Sequence, residues 1–160
     1  MGKYFPYGIK GPSTIPAVAD TILDEFIGIA KELRLPVYLA FGLCLGFVRD
    51  KGYIVGDNDL DVAVVTPTGG FTPDMGDMLK KHGFTRKQAY PPPSNNTHFI
   101  KNNILLDIYS RNNGGFYIAG STVEYKKRVY PVPHPVEAYL TNVYDTWKTP
   151  DPTRAGNGAL

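Results

Sequence analysis

Cysteine is nearly absent. The single Cys44 excludes an internal disulfide and any site built from several thiolates. It lies in an apolar stretch, where a small buried hydrophobe is expected. Histidine is also scarce, with three in 160 residues, and His82, His98 and His134 form no pair at zinc-ligand spacing. No apolar run is long enough to span a bilayer. The N-terminal residues lack the basic and then apolar pattern of a secretory leader. These absences lead to the expectation of a cytoplasmic chain. Net charge is only +2, too little to indicate a nucleic-acid binder. No internal repeat or low-complexity block is present.

The remaining composition is ordinary for a globular domain, with 42% apolar and 20% charged residues. The length suits one compact domain. Residues 1–12 are rich in Gly, Pro and aromatics and read as an irregular lead-in, followed by possible N-caps at Ser13 and Thr14. Ile22, Phe26, Ile29 and Leu33 recur at helical spacing, which predicts a helix over 16–34 ended by Pro36. Val37 to Phe41 reads as a buried strand, and Leu43 to Arg49 as a short apolar helix stopped by Gly52. Leu60 to Val65 is a strongly β-prone run. Pro73 to His82 fits a helix capped by Gly83. Strands are expected at 84–89, 97–100, 104–109, 116–119 and 123–129, with a last helix over 135–144. The tail 151–160 is Pro- and Gly-rich and reads as flexible. The order predicts an α+β domain over 1–150, a mixed sheet with flanking helices.

One stretch is chemically distinctive. Side chains alternate along a strand. Asp59 and Asp61 therefore share a face, with Asp57 beside them if the extended backbone starts early, while Leu60, Val62 and Val64 face the core. Like charges so close repel, and a divalent cation removes that cost. Mg2+, or Mn2+, suits an oxygen-only set and bridges phosphate oxygens. A calcium loop is excluded, because its pattern needs Gly at 62 and Glu at 68, where Val62 and Thr68 stand. A surface acidic turn and a metal-free acid–base pair are the competing readings. Upstream, Gly42 and the adjacent Leu43 sit between a strand and a helix, where backbone amides favour a phosphate. Arg49 and Lys51 offer cations for a phosphorylated donor. The run Lys126-Lys127-Arg128 is a further candidate for contact with an anion.

The pattern Gly42-x-x-Leu45-Gly46-x-x-Arg49-x-x-Gly52-x-Ile54-x-x-Asp57-x-Asp59-x-Asp61 resembles the LicD/fukutin family of the DNA polymerase beta-like nucleotidyltransferase superfamily. Ile104 to Tyr109 is similar to the strand that brings that superfamily a third carboxylate, here Asp107. Pro131 to Leu140, followed by Tyr144 to Pro150, resembles the family's closing segment. The resemblance implies metal-holding and catalytic roles for Asp59, Asp61 and Asp107. It also implies transfer of a phosphocholine- or ribitol-phosphate-like group from a CDP-activated alcohol to a glycan hydroxyl. The alternatives are transfer of a nucleoside monophosphate from a nucleoside triphosphate to a small molecule, protein or RNA, and a non-catalytic binding module. The chain departs from the family at Leu43, where Thr or Ser is usual, at Val55-Gly56, where Pro-Trp is usual, and at Asn58.

Overall fold

The structure, a computed structural model, describes residues 17–54, 57 and 59–150. The expected lead-in, the caps at Ser13 and Thr14, the tail at 151–160 and the departures at Val55-Gly56 and Asn58 lie outside the described residues. Helix α1 spans Ala19–Glu32. It buries Ile22, Leu23, Phe26, Ile29 and Ala30 along one stripe, each large apolar side chain contributing about 1.5–3 kcal/mol. Arg34, at φ +60, reverses the chain after the helix. Strand β1 (Val37–Leu39) follows, then helix α2 (Phe41–Leu45) and a π turn at Gly46–Asp50. The predicted strand thus ends two residues early and the helix begins two residues early, because Phe41 takes φ +44.

Strand β2 (Asp59–Val65) is buried throughout. Helix α3 is Pro73–Lys81, and β3 (Thr85–Ala89), β4 (Asn96–Lys101) and β5 (Ile104–Arg111) complete a five-stranded sheet of order β1-β2-β5-β4-β3. All pairs in it are antiparallel except β2–β5, which is parallel. The sheet is therefore mixed, with helices packed on it in a single α+β domain, as expected. Leu60, Val62 and Val64 join Leu106, Ile108 and Phe99 with the α1 stripe and Leu79 of α3 in the main core. The opposite face carries a smaller apolar cluster of Tyr38, Ala40, Ala63, Val65 and Tyr109.

Two expected strands differ from the structure. Residues 116–119 form no strand and make only an isolated bridge, Gly114 to Tyr117. The single strand expected at 123–129 is a hairpin, β6 (Ser121–Tyr125) and β7 (Arg128–Val132). Lys126 and Lys127 turn it at φ +51 and +65, the left-handed pair that suits a two-residue hairpin turn. Two lysines are poor residues for such a turn, so the sequence concealed it. Helix α4 is Val136–Tyr144. No helix among the described residues is long and apolar enough to cross a membrane.

The hairpin is held to α1 by charge. Asp20 accepts hydrogen bonds from Tyr53 (2.5 Å), Tyr125 (3.0 Å) and Lys126 (2.6 Å). One turn later, Asp24 accepts from Tyr130 (2.9 Å) and pairs with Arg128. The basic run is thus largely committed within the fold. Partial burial pushes the Asp20 carboxyl up, but donation from Lys126, Tyr53 and Tyr125 outweighs it and holds the group below the usual carboxylate range. A group more acidic when folded binds fewer protons there than when unfolded, so its contribution is present above the usual carboxylate range and is lost as pH falls through the depressed value. Urea denaturation across about pH 5 to 2 should show stability falling with acid, and Asp20→Asn should flatten that slope. An unchanged slope would show that Asp20 is not the linked group.

Candidate active site

Three carboxylates gather where β2 begins, with a fourth in register on β5. Asp57, Asp59 and Asp61 each offer an oxygen within 4.8 Å of the others. Asp59 and Asp61 are fully buried and Asp57 is 5% exposed. The three do share one face. Asp57 belongs with them although the peptide between it and β2 was not clearly extended from sequence. Asp107 lies directly across from Asp61 in the parallel β2–β5 register, also fully buried. Opposite residues of a parallel pair point to the same face, on strands about 4.8 Å apart. Asp107 is thus brought beside Asp61, outside the tight trio.

Strand β4 supplies the surroundings of Asp107. His98 is its register partner, with Nε2 3.4 Å from Asp107 Oδ1. Asn96, its diagonal neighbour, donates from Nδ2 to the same oxygen at 2.9 Å. The strand expected over 97–100 contains His98 but stops one residue short of Asn96. The signal was their spacing of two, which puts both on one face of any strand that begins at 96.

Helix α2 starts against these carboxylates. The Ala40 amide donates to the Asp61 carbonyl at 3.0 Å, so the first turn carrying Gly42 and Leu43 is tied to β2. First-turn amides lack intrahelical acceptors. That of Phe41 donates to the Tyr139 hydroxyl at 2.9 Å, which holds this bulky residue at its unusual positive φ. Cys44, in the same helix, is buried, and burial pushes its thiol pKa up, as suits an inert packing residue.

Arg49 and Lys51 are placed differently. The Arg49 guanidinium grips Asp50 through Nε (2.7 Å) and a second nitrogen (2.8 Å) and reaches the Trp147 carbonyl at 3.3 Å. It links the π turn to the C-terminal segment. Lys51, at φ +61, donates from Nζ to the Val48 carbonyl at 3.3 Å and is exposed. Both belong to the turn that leads toward Asp57.

An all-oxygen set of buried carboxylates fits a hard divalent cation such as Mg2+ or Mn2+. Solved structures that resemble the chain include the following. The lincosamide antibiotic adenylyltransferase LnuA, bound to lincomycin, superposes with a TM-score of 0.56 at 18% identity, covering 76% of this chain and 83% of its own. ANT(2")-Ia in complex with adenylyl-2"-tobramycin gives 0.58 at 13% identity, over 81% and 76%. The solution structure of the antibiotic-resistance factor ANT(2'')-Ia gives 0.59 at 12%, over 80% and 71%. The chain has the nucleotidyltransferase fold. No protein-family model matches it, and no curated protein sequence does.

In this nucleotidyltransferase fold, the glycine at 46, after α2, has a steric reason that Gly52 lacks. A Cβ on Gly46 would sit 2.5 Å from the Gly52 carbonyl oxygen and 3.0 Å from the Ile54 amide, both backbone atoms. A Cβ on Gly52 would find only the Tyr125 ring, at 3.9 Å. Gly46→Ala should therefore lower stability by about 1–3 kcal/mol, read from the urea midpoint, whereas Gly52→Ala should stay within about 1 kcal/mol of the parent. Equal effects would show that the close approach at Gly46 is not the constraint.

Proposed function

We propose that the chain transfers a nucleoside monophosphate from a nucleoside triphosphate to a hydroxyl of a small molecule, in a reaction dependent on a divalent cation. The observation that carries this reading is the convergence of Asp57, Asp59 and Asp61 within 4.8 Å, with Asp107 in register beside Asp61. These four carboxylates would hold the cation, which when bound neutralises charge on the phosphate oxygens. The amides of Gly42 and Leu43 orient the donor phosphates at the start of α2. The acceptor hydroxyl attacks the α-phosphorus and gives its proton to water, the bond to the bridging oxygen breaks, and pyrophosphate leaves. The transition state of such transfers is loose, so positioning and charge neutralisation carry most of the rate. Likeness to an adenylyltransferase bound to lincomycin, and to a protein bound to adenylylated tobramycin, favours ATP as donor and a hydroxylated small molecule as acceptor.

A second reading has its own support. The Gly42 to Asp61 spacing and the closing segment, whose Trp147 carbonyl meets Arg49, favour transfer of an alcohol phosphate from a CDP-activated donor to a glycan hydroxyl. The same carboxylates would serve, but the phosphorus attacked and the leaving group differ.

The two readings part on the product released. The full chain with Mg2+ or Mn2+ is incubated with each nucleoside triphosphate and a panel of aminoglycosides and lincosamides, and separately with CDP-choline or CDP-ribitol and a glycan. Pyrophosphate release, abolished by EDTA, is expected. CMP release instead would favour the second reading. Removing a group that only supports a metal ligand costs 10–100-fold, so Asp59→Asn and Asp61→Asn should each lose more than about 100-fold. Nucleotide binding without turnover, unchanged by Asp59→Ala, would sink catalysis in favour of a binding module.

A further inference from the structure

Asn96 is buried at 7% exposure, yet only half of its amide is used. Nδ2 donates to Asp107 Oδ1 at 2.9 Å. Oδ1 is buried and has no hydrogen-bond partner among the described residues. Burying an amide with one end unsatisfied is costly, so stability alone does not account for an asparagine here. The contact it does make is directed at a carboxylate of the active site. Nε2 of the neighbouring His98 lies 3.4 Å from that same oxygen, and the His98 ring is itself set edge-to-face against Tyr90, centroids 5.2 Å apart. Two nitrogens from one strand thus converge on one oxygen of Asp107.

We infer that Asn96 and His98 are positioning residues: by holding Oδ1, they fix the rotation of the Asp107 carboxylate and direct it, beside Asp61, toward the cation. The inference rests on the proposed cation-dependent reaction. The fixed carboxylate needs no reorganisation when the cation arrives, and partners of this kind typically govern 10–100-fold in metal affinity or activity. Asn96 acts through an uncharged amide. Replacing it removes a donor and also an unsatisfied acceptor, so the folded state should survive the change.

The test is Mn2+ binding by the full chain, followed by calorimetry and by the rise in melting temperature that Mn2+ produces. Asn96→Ala and His98→Ala should each weaken Mn2+ by about 10-fold or more, while the melting temperature without metal stays near that of the parent. His98→Gln, which keeps a nitrogen donor, should recover most of the affinity. A merely structural role would lower the metal-free melting temperature and leave the affinity of the folded fraction unchanged. Parent-like Mn2+ affinity in both alanine variants overturns this inference alone. Absence of saturable Mn2+ binding by the unsubstituted chain overturns it together with the cation-dependent reading.

Discussion

The architecture depends on placing like charges side by side on a parallel strand pair. Asp61 and Asp107 are opposite one another in the β2–β5 register, both fully buried. Removing carboxylates from water costs several kcal/mol each, and proximity adds repulsion. A sheet arranged for stability alone would put Val or Ile at these positions, as it does one residue along at Val62 and Ile108. The alternation is strict. One face of β2 carries Leu60, Val62 and Val64 into the main core, and the other carries the carboxylates followed by Ala63 and Val65. A register slip of one residue would exchange those faces, so the apolar core itself enforces the position of the acidic cluster.

The segment that precedes the cluster is held by three kinds of contact. Gly46 and Gly52 approach so closely that the π turn is compatible only with glycine at the first position. π turns within helices occur frequently at functional sites. Phe47 stacks on Tyr125 of the hairpin at 4.2 Å between centroids, and Arg49 spans to the C-terminal segment. Asp20 and Asp24 then tie the hairpin to α1. The elements around the cluster therefore act as a frame, and the polar contacts on α1 are part of what sets where the chain enters Asp57.

The candidate site was partly legible. The spacing of Asp59 and Asp61 on a β-prone run carried its own geometry, because alternation is local. Asp57 was legible only conditionally, since its place depends on how the backbone leaves the π turn. Arg49 and Lys51 suggested phosphate contacts by charge, but their local partners, Asp50 and the Val48 carbonyl, depend on turn conformation. Asn96 was hidden because Asn reads as a turn residue, whereas His98 lay within the expected strand 97–100. Only pairing with β5 extended the strand to 96.

What the sequence alone determined is the set of local periodicities: the apolar stripe of α1, the two-faced run at Asp59–Val65, and the α+β order of elements. These follow from near-neighbour sterics and burial. The tertiary structure decided which strands are adjacent, and hence that Asp107, 46 positions after Asp61, lies beside it with Asn96 and His98 behind. It also split the run at 123–129 into a hairpin and left 116–119 without a strand. Strand adjacency is a long-range choice, made by burial of both sheet faces against α1, α3 and the aromatic cluster, and no local residue preference encodes it.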